Sequence, residues 1–201
     1  MSSANSSHFS LRQEILRKLI HLMGLVLPLA YSEVGRSRGL PLLVLAAAMV
    51  VAADVLRLYW PFAGRVYRRM FGALTRSREN SGMTGASYMM VGQALTAAVF
   101  PVPVAIVAMT FGAVGDSAAA IAGRLCGKHL WLPGKSIEGS LACLVACFVA
   151  GAAWAGLPLA CVCVGAVVAT LAEALPLRMN DNAIIPVSSG AAMAVVISLS
   201  L

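Results

Sequence analysis

The sequence predicts an all-α protein, a polytopic membrane bundle of about seven transmembrane helices with one amphipathic helix on its cytoplasmic face. Three observations predict it. Hydrophobic residues make up 60% of the 201-residue chain, charged residues only 11%, and mean hydropathy is +0.85; a water-soluble domain carries far more surface charge. The apolar residues form runs of roughly 20, enough for a helix to cross about 30 Å of hydrocarbon, and the roughly 10-residue alternation of a membrane barrel is missing. The charges are also one-sided. With the N-terminus in the cytoplasm, every one of the 15 Lys and Arg except Arg36 and Arg38 falls on the cytoplasmic side of a seven-span arrangement, as does every acid except Glu33.

Taken in order, residues 1–18 are a cytoplasmic leading segment, in which 10–18 read as an amphipathic helix. Glu14, Arg17, Lys18 and His21 are spaced to share one of its faces. The polar start lacks an apolar h-region, so no cleaved signal peptide is expected. Spans follow at about 19–34 and 40–56, joined by a GRSRG loop, with Asp54 and Arg57 one turn apart and Tyr59 and Trp60 as an interfacial anchor. Residues 57–82 carry Arg65, Arg68, Arg69, Arg76 and Arg78 and are too charged to span, so a helix lying at the surface is expected. A third span, 83–100, opens on SGMTGASY with Thr84 and stops at the prolines of PVP. The fourth is 104–122, and the last three are 141–156, 157–175 and 183–201, with turns at GLP and PLRMND. One integral membrane domain thus fills 1–201.

The stretch 112–140, GAVGDSAAAIAGRLCGKHLWLPGKSIEGS, brings fixed charge into this hydrocarbon. Asp116 follows an apolar run, and an unpaired charge in lipid costs several kcal/mol, so the residue points to a functional site. Ala119, Gly123 and Gly127 give a helix through Asp116 a nearly smooth face. Arg124, Lys128, Lys135, Ser136, Glu138 and Gly139 follow. Mixed acid, glycine and base suit a polyphosphate with its divalent metal, because carboxylates hold the ion while cations and backbone N–H groups hold the phosphates. The same small residues also suit plain helix packing. Glu173, inside the sixth span, must pair, with Arg178 for example, or bind metal. Asp181 and Asn182 are either ligands or the cap of the last helix.

The residues argue against several other classes. The five cysteines lack histidine partners at metal spacing and read as buried free thiols. The net charge of +7 lies along a membrane face, so no nucleic-acid partner is expected. GRLCGKH is not a Walker A loop, and protein-kinase HRD and DFG elements are missing. The acids gather at one face instead of near mid-bilayer, which argues against an ion-coupled transporter.

GDSAAAIAGRLCGK, KSIEGS, EALP, and DN with a proline four residues on resemble the dolichol kinase, phytol kinase and CTP-dependent diacylglycerol kinase family of membrane lipid kinases. Glu14, Arg17, Lys18 and His21, the Asp54–Arg57 pair and TGASY resemble that family too. The resemblance implies transfer of a phosphoryl group from a nucleoside triphosphate, CTP, to a membrane lipid alcohol (polyprenol, phytol, farnesol or diacylglycerol) at the cytoplasmic face, with Mg²⁺ or another divalent cation. It further implies that Asp116, Glu138 and Asp181 hold the metal or deprotonate the alcohol, with Glu173 and Asn182 completing the metal shell. Arg124, Lys128 and Lys135, with Ser136, Gly123, Gly127 and Gly139, would bind the nucleotide phosphates. Arg17, Lys18, His21, Asp54, Arg57 and Thr84 would contact or support substrate. The alternative is a phosphatidate cytidylyltransferase, which shares a GDS-A-GR-GK-like stretch; its C-terminal PGHGG signature is absent.

Overall fold

The computed structural model describes residues 10–75, 77–154, 156–176 and 180–200. Arg76 and Arg178 lie outside them. Helix α1 (Leu11–Leu22) begins at a capping box in which Ser10 Oγ accepts from the Gln13 N–H and the Gln13 side chain returns to the Ser10 N–H. A 3-10 turn, Met23–Leu25, leads into α2 (Val26–Tyr59). A straight helix of that length would be about 50 Å long and overshoot the hydrocarbon. It is not straight: Gly35, at φ 70° and ψ 176°, breaks it in a conformation that glycine adopts readily. A Cβ on Gly39 would meet Tyr31 Cδ2 at 2.5 Å, a contact impossible along one straight helix, so the chain folds back at Gly35. The expected GRSRG loop is therefore a single glycine.

Trp60 turns the chain into α3 (Pro61–Phe71), with proline at a position where its missing N–H costs nothing. Phe62, Val66 and Met70 form an exposed apolar stripe beside exposed Arg65, Arg68 and Arg69, as an interfacial helix should. It covers only part of the expected surface segment; 3-10 turns at Gly72–Leu74 and Ser77–Asn80 carry the chain on. Thr84 caps α4 (Gly85–Val99), which ends at Pro101. Arg36 then donates to the carbonyls of Ala98 and Phe100, closing the α2 hairpin onto the end of α4.

Helix α5 (Val102–Cys126) is the axis of the bundle. Ahead of Asp116 its residues are almost all small or apolar, so this stretch can be buried on every face, and Val104, Ala105, Ala108, Met109, Phe111 and Ala113 are fully enclosed. A short antiparallel hairpin, β1 (Leu130–Leu132) and β2 (Lys135–Ser136), turns at Gly134 with φ 74°. Nothing in the apolar periodicity of this stretch predicts the hairpin. Helices α6 (Ile137–Ala153), α7 (Leu159–Ala174) and α8 (Asp181–Leu199) complete the bundle, and α1, α2, α4, α6, α7 and α8 all pack on α5. Gly112 lies against Pro186, Gly115 against the sulfurs of Cys143 and Cys147, and Gly165 against Met193, the close approaches that small residues permit. Cys143, Cys147 and Cys161 are buried free thiols as expected, whereas Cys126 and Cys163 are exposed.

Among the described residues, three helical stretches are long and apolar enough to cross a membrane, Leu11–Tyr59, Val102–Cys126 and Asp181–Leu199; Ile137–Ala153 and Leu159–Ala174 are apolar but shorter. Helices α1, α4, α6 and α8 begin, and α2, α5 and α7 end, at one end of the bundle. The polar side chains gather there.

Candidate active site

Asp116 sits in α5 with its side chain 9% exposed, and Lys18 of α1, 3% exposed, donates through Nζ to Asp116 Oδ2. His21, one turn further along the same face of α1, places Nε2 3.6 Å from Asp116 Oδ2 and 3.2 Å from the Gly112 carbonyl. Each ion supplies what the other lost on leaving water. Arg17, beside Lys18, bonds Glu14 through Nη2 at 2.6 Å. The shared face expected for Glu14, Arg17, Lys18 and His21 is thus laid along α5.

Arg17, Lys18 and Asp116 form one wall of a small polar cleft. Glu79, Gly85, Asn180, Asp181 and Asn182 form the other. Local sequence explains that second wall. Asn180 is the cap of α8, its side chain accepting from the Asn182 N–H at 3.1 Å, so Asp181 is the first helical residue, where the helix dipole favours an acid. Asn182 Nδ2 donates to the Gly85 carbonyl at 2.9 Å, tying α8 to α4. Glu79 Oε1 accepts the Gly85 N–H at 3.0 Å.

Behind the cleft, Asp54 is saturated. Its Oδ2 accepts from the Thr84 N–H at 2.7 Å, the Thr84 hydroxyl at 2.8 Å and the Ser87 hydroxyl at 2.5 Å; its Oδ1 takes Arg57 Nε at 2.6 Å. Arg57 Nη2 donates in turn to the carbonyls of Glu79 at 3.0 Å and Gly82 at 2.7 Å, and the guanidinium stacks 4.5 Å from the Tyr67 ring centroid. Asp54, Arg57 and Thr84 therefore fix the segment that carries Glu79 to the cleft.

Other expected site residues lie elsewhere. Glu138 does not line the cleft: its Oε1 receives His129 Nδ1 at 2.7 Å on the hairpin side, with the two side chains 27% and 74% exposed. The hydrogen bond from His129, helped by backbone N–H groups, holds its carboxyl down to about 2. Lys128 and Arg124 are exposed near the end of α5 and are not among the residues lining the cleft. Lys135 Nζ binds Glu173 Oε1 at 2.5 Å, so that buried acid is neutralised from the hairpin. Ser136, expected at the phosphates, caps α6 by accepting the Gly139 N–H at 3.1 Å. Gly123, Gly127 and Gly139 form a close crossing of α5 and α6: a Cβ on Gly139 would meet the Ala119 carbonyl oxygen at 2.9 Å, and one on Gly127 would meet Ser136 Oγ at 2.8 Å. These glycines let α5 and the start of α6 approach closely.

The expected metal shell of Asp116, Glu138, Glu173, Asp181 and Asn182 is not gathered. Among the described residues, no three His, Cys, Asp or Glu side chains are placed to share an ion. The cleft nonetheless offers oxygen donors from Asp116, Asp181, Asn180 and Asn182. That fits Mg²⁺, which takes one or two carboxylates and fills its remaining positions with substrate phosphates and water.

The reading from sequence missed Glu79, Asn180 and His129. Glu79 lay in an arginine-rich segment without periodicity; Asn180 carried a signal, an Asx residue directly before a helix, which pointed one position earlier than the cap considered.

Known proteins resemble this chain along most of its length. It is 28% identical to CTP-dependent diacylglycerol kinase 1 of Schizosaccharomyces pombe, covering 91% of this chain and 93% of that protein. It is 30% identical to the uncharacterized protein RP860 of Rickettsia prowazekii, covering 86% and 89%. Identity to CTP-dependent diacylglycerol kinase 1 of Eremothecium gossypii is 34%, over 71% of this chain and 45% of that protein. No family model and no solved structure matches.

Proposed function

We propose a reaction from one premise, that the chain belongs to the family of CTP-dependent lipid kinases: it transfers the terminal phosphoryl group of CTP to the hydroxyl of a membrane lipid alcohol at the cytoplasmic face of a multi-pass bundle. Diacylglycerol is the acceptor in the names of the kinases it resembles, and it is the acceptor proposed here. One observation carries the assignment to a site. Arg17, Lys18, Asp116, Asp181 and Asn182, brought by three helices, meet at one polar cleft at the end of an apolar bundle.

In the reaction, the lipid oxygen bonds to the γ-phosphorus, the bond to the β–γ bridging oxygen breaks, CDP departs with its electron pair, and the alcohol proton passes to a cleft carboxylate. Such a loose transition state asks for position and charge more than covalent chemistry. Mg²⁺, held by Asp116 and Asp181, would neutralise charge on the phosphates. Lys18 pairs with Asp116 and orients it. Asn182 joins α4 to α8, and Asp54 with Arg57 holds the Glu79 segment, so both walls keep their spacing. Exposed Leu16, Leu19 and Ile20 on α1 adjoin Arg17 and Lys18, which supports entry of an acyl chain from the bilayer side.

The test is a matrix of acceptors against donors in reconstituted bilayers: diacylglycerol, phytol, farnesol and a longer polyprenol with CTP, ATP, GTP and UTP. CDP and a lipid phosphomonoester from CTP with diacylglycerol are the expected products. Pyrophosphate and a CDP-lipid, formed when phosphatidate is supplied as a further acceptor, would mean the cytidylyltransferase reading instead.

A further inference from the structure

Arg17 holds a buried donor that has no acceptor among the described residues. That donor is its enclosed Nε, whereas its Nη2 is paired with Glu14 Oε1 at 2.6 Å. The side chain is 18% exposed and lines the cleft. A buried N–H without an acceptor opposes folding, and such groups in a native structure are rare enough to need a reason. The neighbouring cation offers no substitute, because Lys18 is engaged by Asp116. The cleft is therefore lined by one cation bound to its own carboxylate and by one guanidinium with a donor still to fill.

The ligand that fits that edge is a phosphate oxygen. A guanidinium is always charged and presents its donors in a planar fork that matches a phosphate group, which an ammonium cannot do. We propose that Arg17 is a phosphate ligand of the cleft, its Nε–H donating to a non-bridging oxygen of the nucleotide's phosphate chain. This rests on the kinase reading above and reassigns phosphate binding from Arg124 and Lys128, at the end of α5, to α1. The Glu14 pair holds the guanidinium in place beside the cleft that Arg17 lines.

The experiment measures binding without an acceptor lipid. Purified wild type, Arg17→Lys and Arg17→Gln are placed in phosphatidylcholine nanodiscs and titrated with tripolyphosphate, with CTP, and with a short-chain lipid phosphomonoester, each with Mg²⁺. Arg17→Lys keeps the charge and a partner for Glu14, which guards against a variant that merely fails to fold; its melting temperature is measured alongside. Affinity for tripolyphosphate and CTP is expected to fall about tenfold in Arg17→Lys and further in Arg17→Gln, with KM for the lipid acceptor within about twofold of wild type. Equal tripolyphosphate affinity in all three proteins overturns the proposal, as does a loss confined to the lipid phosphomonoester, which would make Arg17 a ligand of the product. The two readings fail separately. Wild type that phosphorylates lipid while both variants bind nucleotide normally leaves the kinase and removes Arg17, whereas Arg17-dependent polyphosphate binding with no transfer from any donor keeps Arg17 and removes the kinase.

Discussion

Lys18 Nζ donates to Asp116 Oδ2 across 98 positions of sequence, and both side chains are almost wholly buried. Their union sets α1 against the central helix and gives the cleft its charged wall. Removing one partner of such a pair strands a charge away from water, which costs about 3–5 kcal/mol, whereas removing both costs far less. Lys18→Met is therefore expected to lower stability in that range, and the Lys18→Met/Asp116→Asn double variant to regain most of it. Denaturant titration of the detergent-solubilised proteins in a double-mutant cycle measures the coupling.

Glu138 and Asp181 stand in different surroundings: Asp181 lines the cleft and Glu138 does not. Glu138 faces His129 outside the cleft, so Glu138→Gln is expected to keep phosphoryl transfer within about threefold of wild type. Asp181→Asn, which removes a carboxylate from the cleft wall, is expected to lower kcat by about 100-fold or more, the scale of a charge acting on a transition state. Initial rates at saturating CTP distinguish the two.

Asp54 takes four hydrogen bonds, one of them from Arg57. Asp54→Asn turns an ionic acceptor into a neutral group that must also place two donors, and a lost hydrogen bond to a charged partner is worth about 1.5–3 kcal/mol. The loosening should be local. Faster hydrogen exchange over residues 79–85, with exchange in α5 unchanged, is the expected result.

The glycines of the α5–α6 crossing carry a prediction opposite to that of a phosphate cradle. Gly139→Val pushes a side chain toward the Ala119 carbonyl and is expected to cost about 1–3 kcal/mol as overpacking. Affinity for CTP in the folded fraction should stay that of wild type, measured by nucleotide titration beside thermal unfolding.

Chelation tests the metal. Treatment with EDTA is expected to abolish transfer without unfolding the bundle, and added Mg²⁺ to restore it, because the phosphates and not a protein cage supply most of the ion's ligands. Activity that survives complete chelation would contradict a metal at Asp116 and Asp181.

Much of this was legible in the sequence because membrane helices announce themselves by length and apolarity. The helical runs, the apolar stretch of α5 ahead of Asp116 and the clustering of charge all came from composition and spacing. The face Glu14, Arg17, Lys18 and His21 was legible from periodicity, but its partner was not, since nothing local says that residue 18 meets residue 116. The position of Glu138 was not legible for the same reason: it stands near Asp116 in the motif, yet its carboxylate meets His129 and does not line the cleft. Residues 112–140 read as one chemical unit, and the chain divides them between a helix wall, a strand turn and a cap. Lys135 as the counter-charge of Glu173 depends wholly on that hairpin.

The central claim is that this cleft moves the last phosphoryl group of CTP onto a lipid hydroxyl, and γ-labelled CTP supplied with diacylglycerol to reconstituted wild type and Asp116→Asn tests it most directly. The account predicts label in a lipid phosphomonoester with one CDP formed per label transferred, and a rate about 100-fold lower in the variant. Label released as pyrophosphate, or equal transfer by Asp116→Asn, would contradict it.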